Sequence, residues 1–582
     1  MQKRIQLLDC TLRDGSYING SHFGAPAIKG IIKKMQEADV DLIECGWLKD
    51  APHEEGSAYY HVPADLKPYL LDRSDRSVYV AMIDWDRYDV SALPPYDGTS
   101  INAVRVVFPR GKVRGGLEIA QKIRDKGYLV FLQAANTLGY HDDELEELAQ
   151  CVNAFQPVAM SVVDTFGAMF EDDLDHIVRF LDARLSPEIG LGFHSHNNQQ
   201  LSFALTMHFV KLLEKSQRQV IVDASLSGMG RGAGNATTEL VASYLNRKQH
   251  GNYDMDAILD AIDMYIDPIR EKYTWGYSTP YFIAGLYQCH VNNIAYLRKN
   301  HRTNARDMRN VIASLGVEER RHYDYDLLER RYLENQSRLV DDESAKRAIQ
   351  EEIGGRMVLL VAPGKSVLDL RSDVQAFMEK EHPFVLGVNA ILPEYASDYD
   401  ALFFVNSIRY AYAQEAYAAI FAKTEKILLS NIKTESGDKE RIVNFTTAIK
   451  RGWEHFDNAV ICALRLLDRL GVQRVAVAGF DGFKDEYNAS YADASLPTLN
   501  PDNRWTELNE EIKEMYRDVQ SSTAGKMQIT FVTPSIFADN DKNMKYCNEN
   551  SENGGGGGEA LNKVFACGLF ALSRSDGCLL AA

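Results

Sequence analysis

The chain has 582 residues, 45% hydrophobic and 25% charged, the balance of a soluble globular protein long enough for two or three domains. Lys and Arg total 64 against 82 Asp and Glu, a net charge of -18, which repels nucleic acid and anionic membranes and excludes both as general partners. No window approaches the run of about 18 apolar residues that a membrane span needs. The residues before Asp9 lack the apolar stretch of a signal peptide, and eight cysteines without CxxC spacing predict a reducing, cytoplasmic setting.

Along the first 225 residues, short β-branched runs alternate with helical stretches. The predicted strands are 4–9, 41–46, 78–84, 103–108, 128–133, 158–164, 189–196 and 219–225. Between the first two, Ile28, Ile31, Ile32 and Met35 fall at i, i+3, i+4 and i+7, one face of an amphipathic helix. Strands that alternate with helices pair in parallel through crossovers, and eight such units close a (β/α)8 TIM barrel, here over 1–240. A doubly wound sheet is the competing architecture.

From 241 to 354, mixed-charge helical runs surround the aromatic stretch YTWGYSTPYF, which predicts a helical extension with core and lid packing. At 355 a second α/β pattern begins: the apolar run MVLLV leads into a Pro-Gly turn, and RVAVAGFDGF repeats strand-then-glycine after a helix at 459–471. Residues 355–537 are therefore expected to form a smaller Rossmann-like α/β domain. The last segment, 538–582, approaches five consecutive glycines through Asn, Glu and Ser, the composition of a disordered tail.

In a barrel, chemistry collects where the strands end at their C-termini. Arg13 and Asp14 follow the first strand there. His194 and His196, two apart at the end of the seventh, point to one side of it. After the eighth strand, the loop GMGRGAGN lets backbone approach a ligand closely and ends in Asn235. Two imidazoles, a carboxylate and an amide oxygen form a mixed N/O donor set for a divalent cation, Mn2+ first with Mg2+ and Zn2+ as alternatives. Each part alone is an ordinary structural residue; their convergence at predicted strand ends carries the inference.

LLDCTLRDG, FHSHNN and GMGRGAGN together resemble the superfamily of metal-dependent aldolases and acyl-CoA condensing enzymes. That group includes 4-hydroxy-2-oxovalerate aldolase, hydroxymethylglutaryl-CoA lyase and isopropylmalate synthase. The resemblance spans about residues 4–300 and implies a TIM barrel with Asp14, His194 and His196 as metal ligands and Asn235 as a fourth. It further implies Arg13 as the catalytic arginine and Glu44, in IECGW, as an acidic residue near the metal. The activity implied is aldol cleavage or formation of a 4-hydroxy-2-oxo acid through an enolate of the pyruvate type, with 2-oxo acid and aldehyde substrates.

The hydroxy-oxovalerate aldolases carry a histidine base three residues after the metal aspartate, where this chain has Tyr17, a poor base at neutral pH. His22, Glu44 and a metal-activated water are the alternatives. The acyl-CoA condensing members continue RDG with Glu-Gln, and the hydroxymethylglutaryl-CoA lyases place a cysteine in the glycine loop. Neither occurs here, which favours an aldolase over a Claisen synthase or HMG-CoA lyase-like enzyme. A homo-oligomer and a dehydrogenase partner docked on the extension are further implications of the resemblance.

APGKS at 362–366 falls short of a P-loop, because the required earlier glycine is Leu359. Its βα turn leaves a phosphate or sugar-nucleotide ligand open. DALFFVNSIRY and GVQRVAVAGFDGF are faintly similar to domains fused to aldolases in bacterial surface-polysaccharide loci. A non-catalytic ligand-binding scaffold is the remaining alternative for the whole chain.

Overall fold

Alternating apolar strands and amphipathic helices close, in the computed structural model, into a ring of parallel strands. The structure describes residues 4–300, 304–337, 339–434, 439–484, 489–498 and 504–538. The chain separates into two compact units, the first running to residue 338 and the second beginning at 339.

The first unit contains β1 (Ile5–Asp9), β2 (Leu42–Leu48), β3 (Tyr59–Tyr60), β4 (Val78–Asp84), β5 (Ala103–Phe108), β6 (Leu129–Ala134), β7 (Ala159–Asp164), β8 (Gly190–Ser195) and β9 (Val220–Ala224). Parallel pairing runs β1-β9-β8-β7-β6-β5-β4-β2, and a β1–β2 pairing closes the barrel, with the two-residue β3 appended to β2. All eight predicted strands are present, so the TIM barrel is the architecture and the open doubly wound sheet is not. The helix Ala25–Glu37 buries Ile28, Ile31, Ile32 and Met35, each 0% exposed. Burial of such side chains contributes roughly 1.5–3 kcal/mol apiece.

Inside the barrel, Leu8, Leu42, Val80, Ala103, Phe131, Ala159 and Ile221 form one apolar layer. Side chains along a strand return to the same side every second residue. Two positions further along, that side carries Glu44, Arg105, Gln133, Ser161 and Asp223, each 4% exposed or less. An apolar floor therefore supports a polar layer directly beneath the barrel mouth.

The helices Thr279–Leu286, Val291–Asn300, Ala305–Ser314 and Tyr325–Gln336 form the extension. Within YTWGYSTPYF, Trp275 Nε1 donates to Ser227 O at 3.0 Å in the loop after β9. The helix Glu343–Ile353 belongs instead to the second unit: it buries Ile349 and Ile353, packs on β14, and Gln350 Nε2 donates to Leu470 O at 3.0 Å. The boundary expected at 354 thus falls at 338.

The second unit holds β10 (Val358–Val361), β11 (Phe384–Val388), β12 (Ala401–Phe404), β13 (Glu425–Leu429), β14 (Glu440–Val443), β15 (Arg474–Ala478) and β16 (Gln528–Phe531). All pairings are parallel, in the order β14-β13-β12-β11-β10-β15-β16. The chain starts at a central strand, runs out to one edge and returns to build the other side, as in a Rossmann-like sheet. β10 is buried at every position, as a strand covered on both faces must be. From residue 539 onward, the expected disordered tail lies outside the described residues. No helix among the described residues is long and apolar enough to cross a membrane.

Candidate metal centre

β1 ends at Asp9, and the helical turn Thr11–Asp14 carries Arg13 and Asp14 to the C-terminal mouth of the barrel. His194 lies within β8, and His196, just past it, bridges to Asn235 of the glycine loop. One donor atom from each of Asp14, His194 and His196 lies within 4.8 Å of the others. His196 Nε2 is 3.5 Å from Asp14 Oδ2, and the two imidazoles stand nearly perpendicular, 5.1 Å between centroids.

Asn235 completes the cluster. Its Nδ2 donates to Asp14 Oδ2 at 2.7 Å, while its Oδ1 is buried without a partner. His194 Nδ1 and His196 Nε2 are likewise buried without a hydrogen bond. An unsatisfied buried polar atom costs about 1–3 kcal/mol, so His196 Nε2 and Asn235 Oδ1, both on side chains that meet Asp14, are costly unless a cation engages them. The residues present therefore fit a divalent metal. His196 Nδ1 lies 3.2 Å from Asp164 O, which orients the ring and leaves Nε2 for the cluster. Gly230 makes the loop's approach feasible, because a Cβ there would stand 2.5 Å from Asp14 Oδ2 and 2.3 Å from Asn235 Nδ2. Next to it, Arg231 N donates to Asp14 Oδ2 at 3.2 Å.

Beneath the cluster the polar layer forms a chain of alternating charge. Arg13 Nη1 meets Asp14 Oδ1 at 2.6 Å, and Arg13 Nε meets Glu44 Oε2 at 2.7 Å. Arg105 Nη1 holds the other Glu44 oxygen at 3.1 Å, and Arg105 Nη2 pairs with Asp223 Oδ2. Asp223 Oδ2 in turn lies 3.0 Å from His194 Nδ1, without the alignment of a hydrogen bond. The chain begins at one metal-ligand candidate and ends at another. Burial, the largest influence, raises Asp14, yet Arg13, His196 and His194 together pull its carboxyl well below the usual carboxylate range. Burial pushes His194 down, which keeps the imidazole neutral and available as a donor.

Glu44 is thus occupied by two guanidinium groups. Tyr17 stands at the mouth, 47% exposed, with the Arg231 guanidinium 4.8 Å above its ring. Desolvation by the surrounding protein moves its phenol up, opposed by Arg231. Arg231 is itself held by His290 Nε2 at 2.9 Å and Asn292 Oδ1 at 3.1 Å. His22 is a surface side chain 3.9 Å from Glu54. Sequence reasoning missed Arg105, Asp223, Arg231 and His290. Arg105 and Asp223 were detectable as charges inside the apolar runs AVRVVF and VIVDA, which nothing but a buried ion network would tolerate. His290 comes from the extension and has no comparable signal.

Asp164, at the end of β7, accepts from Ala168 N at 2.9 Å and Met169 N at 3.2 Å and is pushed up to about 6 by burial. Its folded value exceeds the ordinary 3.8. Its contribution to stability is therefore complete below about pH 4 and lost as pH rises through about 6. Asp164→Asn should flatten this part of the profile: between about pH 4 and 7 the wild-type Tm should change more in the destabilising direction than the variant's. Parallel profiles would show that Asp164 does not titrate there.

A protein-family profile described as HMGL-like matches residues 111–264, a span that includes both histidines and Asn235. That stretch of the barrel is similar to the HMGL-like family. The chain is 27% identical over 314 residues to a 4-hydroxy-2-oxovalerate aldolase of Thermomicrobium roseum, covering 49% of this chain and 82% of that protein. It is 26% identical over 261 residues to an oxaloacetate decarboxylase of Mycobacterium tuberculosis, covering 44% and 74%. Among solved structures, the Bacillus subtilis HMG-CoA lyase aligns with a TM-score of 0.38 at 15% identity, over 46% of this chain and 94% of that one. The profile match and the two sequence relatives agree with the expected superfamily.

Proposed function

We propose that the HMGL-like barrel is a divalent-metal-dependent aldolase that cleaves, or in reverse builds, a 4-hydroxy-2-oxo acid. The observation that carries this reading is the meeting of Asp14, His194 and His196 beside Arg13 at one barrel mouth. A divalent cation held by these three, with Asn235 as fourth ligand, would supply Lewis-acid stabilisation to the 2-oxo oxygen as enolate charge develops.

Arg13 adds a fixed positive donor. Its Nε and Nη1 are engaged by Glu44 and Asp14, and no described residue takes Nη2. That Nη2 is free to donate to the same oxygen, where a preorganised hydrogen bond strengthens as charge accumulates. Glu44 positions Arg13 and does not act as a base, because both its oxygens accept from guanidinium groups. Arg231, fixed over Tyr17, offers a second cation at the mouth for the substrate carboxylate. Cleavage also needs a base for the 4-hydroxyl proton. Asp84 ends β4 at the mouth, is pushed up by desolvation, and feels the charges of Arg13 and Arg231. It suits that role better than Tyr17, whose phenol is protonated at neutral pH.

A second reading, decarboxylation of a 2-oxo diacid such as oxaloacetate, is favoured by one observation: Tyr17 stands where the resembling aldolases have a histidine base. Loss of CO2 produces the same pyruvate enolate with no hydroxyl proton to remove. Metal-free protein reloaded with Mn2+, Mg2+ or Zn2+ and offered a panel of 4-hydroxy-2-oxo acids and oxaloacetate separates the two. The aldolase reading expects metal-dependent release of pyruvate together with an aldehyde. Release of pyruvate and CO2 from oxaloacetate alone favours the decarboxylase, and thiol release from acetyl-CoA with 2-oxo acids would overturn both.

A further inference from the structure

The second sheet has its own topological switch point. From β10 the chain crosses to β11 on one side, whereas β15 continues to β16 on the other. The loops leaving the adjacent C-terminal ends of β10 and β15 diverge there, the place where open parallel sheets hold ligands. Gly364 N donates to Gly479 O at 2.9 Å, and a Cβ on Gly364 would stand 2.3 Å from that oxygen. Asp481 Oδ2 accepts from Ser366 N at 2.8 Å and Oδ1 from Ser366 Oγ, so its carboxylate is fixed at the same edge.

The residue that points to a ligand is Arg409. It lies in the first turn of the helix Ser407–Ala416, just beyond β12, where Asn406 Oδ1 caps its N–H at 2.9 Å. Its guanidinium sits 4.8 Å from the ring of Tyr491, and the Tyr491 backbone bridges to Gly364. Tyr491 therefore links Arg409, beyond β12, to the Gly364 turn that follows β10. It is only 5% exposed, and its Nη1 is buried with no hydrogen-bond partner. No carboxylate among the described residues forms an ion pair with it: the Tyr491 side chain is its hydrogen-bond partner, and Asp493, which adds a favourable charge, is engaged by the hydroxyls of Tyr412 at 3.1 Å and Tyr417 at 2.9 Å. A buried guanidinium without an anion is strongly disfavoured, and its planar fork matches a phosphate.

We infer that the C-terminal edge of the second sheet, between β10 and β12, binds a phosphate ester of a polyhydroxylated sugar, with Arg409 pairing to the phosphate. Asp481 carries acceptor lone pairs beyond those used by Ser366 and suits the hydroxyls of such a ligand. The negative charges of Asp481 and Asp493 disfavour a highly charged anion such as a triphosphate, so a monoester or diester is the chemistry that fits. The site is independent of the lyase reading, since every residue in it lies in the second unit.

The test uses the full chain with calorimetry and thermal shift. The probes are inorganic phosphate, four nucleoside monophosphates, two nucleotide-linked sugars, ribose 5-phosphate and glucose 1-phosphate, with pyruvate and citrate as carboxylate controls. At least one phosphate ester should bind and raise Tm. Arg409→Met should weaken that binding about tenfold or more, leave lyase turnover unchanged, and keep or raise the ligand-free Tm because an unmatched buried charge is gone. Arg409→Lys provides the same binding readout if the methionine variant does not fold. The nucleotide and sugar-phosphate arms identify which source supplies the ester. Binding of no phosphate ester, binding of carboxylates only, or equal ester affinity in wild type and variant would overturn the inference.

Discussion

Asp14→Asn is expected to lower kcat by about 10³-fold and to weaken divalent-metal binding by tenfold or more, with the fold retained. Asparagine keeps the shape and can still accept from Arg231 N, so the loop at Gly230 has no steric reason to move. What it loses is charge. The carboxylate is held ionised chiefly by Arg13, and it is the anionic member of the cluster. Its removal costs the cation an anionic ligand and costs Arg13 one of its two anchors. A lost anionic ligand worth about 4 kcal/mol at the transition state accounts for the rate factor. Titration calorimetry with Mn2+ and turnover at saturating metal check it, with circular dichroism confirming the fold. Unchanged turnover would remove Asp14 from the site.

Arg105→Met should destabilise the barrel by about 3–5 kcal/mol, on the order of 10 °C in Tm. Arg105 is 1% exposed and bridges Glu44 to Asp223 across the barrel interior. Without it, two buried carboxylates lose their shared cation. Charge and geometry should then fail together at His194, whose neighbour Asp223 is no longer held. Thermal and urea unfolding measure the loss. A drop under about 1 kcal/mol, the level of exposed pairs, would show that the alternating chain is not a structural element.

The barrel was legible because its strands are short apolar runs at regular spacing, and because the i, i+3, i+4, i+7 pattern at Ile28–Met35 names the buried face of the intervening helix. The convergence of Asp14 with His194 and His196 was legible for the same reason: residues at strand ends share one mouth once the ring closes. Asn235 also came to the cluster, though its amide faces Asp14 through nitrogen. Glu44 was found but its partners were not. Its carboxylate is defined by Arg13 and by Arg105, and a mid-strand arginine has a partner only when strands distant in sequence are placed side by side. Arg231 and His290 meet across 59 positions and no periodicity relates them. In the second unit, the run of apolar strands announced an α/β sheet, but strand order, and with it the switch point near Gly364, depends on crossovers that local patterns do not encode. The helix Glu343–Ile353 reads like its charged neighbours in the extension, and only its buried Ile349 and Ile353 assign it to the second sheet.

The most direct measurement is an anomalous-difference map from crystals of the full chain grown with Mn2+. The account predicts one strong peak at the barrel mouth, about 2.0–2.3 Å from a carboxylate oxygen of Asp14 and from one nitrogen each of His194 and His196. A peak bound elsewhere, or none at this cluster under saturating metal, would contradict it.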